Sequence, residues 1–208
     1  MKAAVLEAFR EPLVIRDLPQ PKCAPDGALL RIEANGICRS DWHAWTGDWP
    51  KSFSLPHVLG HEFCGVVEEV GPAVARFRSG DRVIVPFSGG CGECGQCRAG
   101  FSNICDRPLT PGFRYWGGFG RYVAVPRADI NLVNLPEAIS FTDGASLGCR
   151  FMTAFRGVVD QAKVQPGEWV AVHGCGGVGL SAVHVACAAG ARFRRDAGDG
   201  RDGQARAR

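Results

Sequence analysis

Four cysteines crowd one short stretch of the chain. Cys91, Cys94, Cys97 and Cys105 follow the spacing C-x2-C-x2-C-x7-C. Thiolates that close together can surround one Zn²⁺ tetrahedrally, and Gly92 and Gly95 let the backbone turn sharply between them. A shell made wholly of protein thiolates leaves no position open, so such a site would be structural. Iron–sulfur proteins also use C-x2-C-x2-C, but bacterial types bring the fourth cysteine closer and follow it with proline, and here Asp106 follows Cys105. A disulfide pair or free thiols are the remaining readings.

Three further residues could hold a metal but are scattered. Cys38 sits in GICRSDWH, after an apolar run. His61 sits in LGHEFCG beside Glu62, and Cys149 sits in LGCR. Spacing alone does not join them. A Cys2His set with an open fourth position is a catalytic zinc pattern, suited to polarising an alcohol or carbonyl oxygen. Taken singly, the histidine also reads as an ordinary hydrogen-bonded residue and the cysteines as core.

Gly174-Cys175-Gly176-Gly177-Val178-Gly179 satisfies G-x-G-x-x-G. It comes after an expected strand, EWVAVHG, and opens an expected helix, VGLSAVHVACAA, which is the context a dinucleotide fingerprint requires. Gly174 would make the tight turn, Gly176 would admit a pyrophosphate, and Gly179 would let helix and strand pack closely. A glycine-rich crossover turn without a ligand is the bland reading. Asp196 stands near the place of a ribose-binding acid, but beside Arg194 and Arg195 in a segment unlike a strand. It is not assigned that role, so NAD and NADP are not distinguished.

These residues need elements to hold them. KAAVLE, PLVIRDL, ALLRIEANGI, GVVEEVG, DRVIVP and RYVAVP are short apolar runs punctuated by Pro and Gly, which predicts a twisted, mostly β domain over residues 1–140. Residues 89–115 interrupt it as a loop that needs a brace. Thr142 and Asp143 are the expected caps of a helix through ASLGCRFMTAFRGVV. Residues 141–191 then open a βαβ unit and stop short of a second strand. From residue 192 onward the sequence is RFRRDAGDGRDGQARAR, with one Phe as its large apolar residue. It reads as a frame-shifted or truncated end, or else as a natural basic tail.

Composition limits the class. Hydrophobic residues are 46% and charged residues 22%, a globular balance. From Arg192 onward six arginines face three aspartates, so the first 191 residues balance at 18 basic and 18 acidic. A charge-balanced body argues against nucleic-acid binding. The first residues, MKAAVLEAFREPLVIRD, are charged too early for a signal peptide, and no long apolar run predicts a membrane span. A cytoplasmic protein with reduced, partly metal-bound cysteines is expected.

Together, GICRSDWHAWTGDW, PHVLGHEFCGVVEEVG, GDRVIVPF, CGECGQCRAGFSNIC, ASLGCRFMTAF and VHGCGGVGLSAVHVA resemble the N-terminal portion of the zinc-containing medium-chain alcohol dehydrogenases. The resemblance implies a GroES-like catalytic domain over 1–140, an incomplete Rossmann-type NAD(P) domain over 141–191 and an aberrant tail over 192–208. It implies Cys38, His61 and Cys149 as ligands of a catalytic zinc, with Glu62 able to approach it, and Cys91, Cys94, Cys97 and Cys105 as ligands of a structural one. It implies Ser40 at the substrate oxygen, His43 at the outer end of a proton relay, Arg39 near the pyrophosphate and Thr153 on the nicotinamide side. Gly174, Gly176, Gly177, Val178 and Gly179 would carry the cofactor. The implied reaction is hydride transfer between an alcohol, or its aldehyde or ketone, and NAD or NADP. The alternative is a zinc-binding fragment without a working cofactor site. The family forms homodimers or homotetramers, and this chain is expected to lack most of that interface. Trp42, Trp45 and Trp49 could narrow a pocket or simply pack the domain.

Overall fold

The computed structural model describes residues 1–192, and these divide into two compact units, Met1–Cys149 and the part from Arg150 onward. In the first, β1 (Lys2–Val5) and β2 (Val14–Asp17) form an antiparallel pair. The main sheet begins with β3 (Ala28–Gly36), then α1 (Arg39–Thr46), β4 (Glu62–Val70) and β5 (Arg82–Ile84). After the cysteine loop, with its short α2 (Gly95–Arg98), come β6 (Tyr122–Val125), α3 (Ala128–Asn131) and β7 (Val133–Asn134). The strand order is β6-β3-β4-β5-β7, all antiparallel. All six expected strands form; β7, two exposed residues paired to β5, has no apolar run to mark it.

Alternation in these short strands sends one face inward. Leu30, Phe63, Val67, Val83, Val85 and Val123 are fully buried together and form the main core. A second cluster, around Cys64, Ile84, Leu135 and Ala145, packs α4 (Phe141–Ser146) onto the sheet.

The helix cap differs from expectation. Ser140, not Thr142 or Asp143, is the N-cap: its Oγ accepts from the Asp143 backbone N–H at 3.1 Å. Asp143 instead accepts from the Ser140 hydroxyl at 2.6 Å. The residues of that run also do not make one regular helix. Wider π turns at Leu147–Phe151 and Arg156–Gln161 flank α5 (Met152–Phe155).

In the second unit, α6 (Gly177–Ala188) forms as expected, capped at Gly176. The expected strand EWVAVHG does not. Trp169 makes a single parallel bridge to Arg192, and most of the segment is exposed. A strand is defined by its partner, and Arg192 is the only described residue that offers one. The expected tail beyond Arg192, with Asp196, lies outside the described residues. No helix among the described residues is long and apolar enough to cross a membrane.

Candidate metal centres

The β3–β4 register builds half of the scattered site. Gly36 pairs with Glu62, so the residues just beyond the two strand ends, Cys38 and His61, become neighbours. Cys38 is also the N-cap of α1, which sets its side chain at the mouth of the helix. Cys149 arrives from a different direction. The Phe87 N–H donates to the Gly148 carbonyl at 2.9 Å, tying the π turn to the chain after β5. A Cβ on Gly148 would stand 2.9 Å from the Val85 oxygen, so this close approach requires glycine.

The result is a cluster of Cys38, His61, Glu62 and Cys149, each offering a ligand atom within 4.8 Å of the others. His61 is 1% exposed, Glu62 0% and Cys149 8%. Buried ionisable groups are costly unless paired or bound to a metal. Hydrogen bonds from Cys149 and His61 push the Cys38 thiol down to about 3. Burial works against a charged His61, but hydrogen bonds to Asp41 and Cys38 outweigh it and raise the imidazole to about 9. Cys149 moves the other way: its hydrogen bond to the Cys38 thiolate, then its burial, hold it protonated. A thiolate, an imidazole and a second thiol around one point, with a carboxylate beside them, fit a Zn²⁺ that keeps a position open.

Asp41 was not singled out from the sequence, yet it organises this site. It is 4% exposed, and its carboxylate accepts from the Cys38 N–H at 2.9 Å and the Gly60 N–H at 3.2 Å, and meets His61 Nδ1 at 3.0 Å. An ionised carboxylate only accepts, so Nδ1 carries the hydrogen and Nε2 is left to ligate. The available signal was an acid three residues after the residue preceding a helix, the capping-box spacing.

The second group is Cys91, Cys94, Cys97 and Cys105, again with all four sulfurs within 4.8 Å. Backbone N–H groups point at the sulfurs: Cys91 and Arg107 at Cys105 Sγ, both at 3.3 Å, and Cys97 at Cys94 Sγ at 3.5 Å. Backbone donors push Cys91 down to about 6, while desolvation lifts Cys105 to about 11. Four sulfurs held this closely, with their own amide donors, fit a closed tetrathiolate metal site. All ten cysteines are unbridged.

The other expected residues are distributed around α1 and α6. Ser40 Oγ lies 3.9 Å from Cys38 Sγ. The Arg39 guanidinium sits over the Trp42 ring at 4.1 Å. Trp45 packs inward and donates its Nε1–H to the Glu11 carbonyl, whereas Trp49 is 41% exposed and lies 6.0 Å from Phe113, whose ring is 5.6 Å from that of His61. Trp45 is therefore packing, and Trp49 joins an aromatic row leading to the metal cluster. In the second unit, Thr153 is exposed on α5. Gly174 has φ +94°, and a Cβ on Gly179 would stand 1.9 Å from the Gly174 oxygen, so the turn exists only with glycine at both ends.

Residues 24–137 match the alcohol dehydrogenase GroES-like domain. An alcohol dehydrogenase of Geobacillus stearothermophilus is 42% identical over 192 residues, covering 91% of this chain and 56% of that one. The crystal structure of an NAD-dependent alcohol dehydrogenase superposes with TM-score 0.87 at 37% identity, covering 93% of this chain and 57% of its own. The cobalt- and zinc-bound thermostable alcohol dehydrogenase of Pyrobaculum aerophilum gives TM-score 0.84 at 32% identity, covering 93% and 58%. The chain thus spans about half the length of the relatives it matches.

Proposed function

The chain belongs to the zinc-containing medium-chain alcohol dehydrogenases, and from that premise we propose that this polypeptide is a two-zinc unit of such an enzyme that does not complete hydride transfer by itself. One Zn²⁺ is held by Cys91, Cys94, Cys97 and Cys105 and braces the loop. The other is held by Cys38, His61 and Cys149, with Glu62 alongside. The observation that carries the reading is a contrast. Both ligand sets lie in the first unit, whereas the described part of the second holds one strand bridge and one long helix. A nucleotide site at a glycine turn needs a parallel sheet beneath it, and a lone bridge does not supply one.

The family chemistry is oxidoreduction: hydride passes between an alcohol, or its aldehyde or ketone, and NAD or NADP. Zinc at the open site would supply electrostatic stabilisation of the substrate oxygen. This chain's own residues supply the surroundings. Ser40 stands beside Cys38 to hydrogen-bond that oxygen. His43 would hand a proton to solvent at the far end of α1. Arg39 would leave its stacking on Trp42 to meet a pyrophosphate. Gly174, Gly176, Gly177, Val178 and Gly179 would cradle that pyrophosphate at the α6 N-terminus, with Thr153 beside the nicotinamide. Trp169, Val178 and Leu180 are exposed in the second unit. Ten unbridged cysteines suit a reducing compartment, and the cytoplasm is our assignment.

The test is zinc per chain after exhaustive dialysis, then NADH and NADPH binding and turnover on an alcohol panel. Two zincs without turnover is the expected result. Turnover that Cys38→Ser abolishes would overturn the incompetent reading in favour of a working dehydrogenase. One zinc, lost with Cys94→Ser but not with Cys38→Ser, would overturn the catalytic metal site.

A further inference from the structure

We infer that Asp48 is a positioning residue for His43, holding the imidazole in its Nδ1–H form so that Nε2 is the ring's proton-accepting atom at the end of α1. The inference rests on His43 being the outward end of a proton path, as proposed above.

The observation is a bond of 2.7 Å between His43 Nδ1 and Asp48 Oδ2. An ionised carboxylate has no hydrogen to give, so Nδ1 must give one, and Nε2 keeps its lone pair. Asp48 is kept ionised by that bond first, then by Thr46 and by the charge of Arg10.

The local fold exists to make this reach. Gly47 ends α1 in the left-handed region, with φ +83°. The chain then doubles back. The Asp48 N–H donates to the His43 carbonyl at 3.1 Å, and the Thr46 hydroxyl donates to the same oxygen at 2.9 Å. A carboxylate five residues on is thereby returned to the imidazole whose backbone anchors the turn. Any side chain at position 47 would meet the Phe9 ring at 2.9 Å, so the turn requires glycine there. The ring itself is flanked by Trp42 at 5.0 Å and Trp49 at 5.2 Å, which narrows its rotation about χ2.

Stability does not account for the pair. The two side chains are 34% and 43% exposed, and an ion pair that open to water contributes little. Orientation does account for it. A carboxylate that fixes the tautomer and plane of a histidine is the standard way to aim the opposite nitrogen. A proton arriving at Nε2 forms imidazolium against the Asp48 carboxylate, and the same proton then leaves from Nε2 to water. No other bond changes.

The tautomer can be read without turnover. The full chain is labelled with ¹⁵N-histidine, and long-range ¹H–¹⁵N correlation is recorded in alkaline buffer, with His43→Gln identifying the ring signals. The expected wild-type pattern is a protonated Nδ1 and a bare Nε2. In Asp48→Ala the pattern should invert to mostly Nε2–H, with the other histidine signals and the zinc content unchanged. A wild-type ring already in the Nε2–H form overturns the inference, whatever the variant does. So does a folded Asp48→Ala chain that keeps Nδ1–H. An error in the metal assignment shows separately, in the zinc count, and leaves the tautomer result standing.

Discussion

Asp41 illustrates how one buried carboxylate can set both a fold and a metal site. It binds the N–H of Cys38, the N–H of Gly60 and the ring of His61, so it fixes the start of α1 and the aim of His61 Nε2 together. Asp41→Ala would strand two buried donors, Gly60 N–H and His61 Nδ1–H. The expected cost is about 2–4 kcal/mol in urea denaturation. Zinc affinity at the Cys38–His61–Cys149 site should fall by about 10–100-fold, measured by chelator competition, because the ligand's orienting partner is lost. Unchanged affinity would mean that His61 is held by its other neighbours alone. The cysteine quartet was legible from spacing because its ligands are close in sequence. The scattered ligands were joined only by resemblance, since what joins them is strand register, which no spacing records. Asp41 within GICRSDWH carries no full capping signature in the sequence: Cys is an unusual N-cap residue, so the acid three places on does not read as part of a capping box.

At the scale of elements, the strands were legible and the helix around Cys149 was only partly so. Short apolar runs bounded by Gly and Pro mark strands well: all six expected in the first unit form, and only EWVAVHG in the second does not. A π turn has no such signature. It arises at residues 147–151, where the Gly148 carbonyl takes its hydrogen bond from Phe87 on a neighbouring segment. Gly148→Ala tests what that geometry does. The added Cβ must move against a backbone oxygen, which should cost about 1–3 kcal/mol and displace Cys149. Zinc should be lost from the scattered site and kept at the cysteine quartet, which metal analysis of paired Gly148→Ala and Cys94→Ser chains would resolve. The cysteine loop makes a second case. Its α2 buries no residue, so packing contributes little there, and a bound metal is the brace expected for the loop. Glu93 joins the loop to the body through Arg127, which also pairs with Asp26, and within the loop it pairs with Arg107, which reaches Cys91 Sγ at 3.6 Å. These pairs are exposed, so Arg127→Ala should change global stability by less than about 1 kcal/mol. It should still speed removal of the loop zinc by a chelator several-fold, because the loop opens more readily without its tie. Equal chelation rates in the two proteins would rule the tie out.

At the scale of the whole molecule, the candidate metal clusters and the glycine turn fall in different units. Every residue of both candidate metal clusters lies in Met1–Cys149, where five paired strands and a continuous core hold them. The second unit carries a smaller cluster, around Val158, Val185 and Ala186, and leaves Trp169 69%, Leu180 53% and Val178 48% exposed. An apolar helix with so much of its surface in water is poorly stabilised by its own unit. Metal binding is therefore expected not to depend on it. A chain ending after Ala162, which keeps α4, both π turns and all seven strands, should bind two zincs and melt within a few degrees of the metal-holding unit of the full chain. Zinc analysis and calorimetry on the two chains would check this. Retention of two zincs would establish residues 1–162 as a self-sufficient metalloprotein. A fall to one zinc, with the cysteine quartet still loaded, would show the opposite. The π turn bearing Cys149 would then hold its shape only while the segment after residue 162 is present.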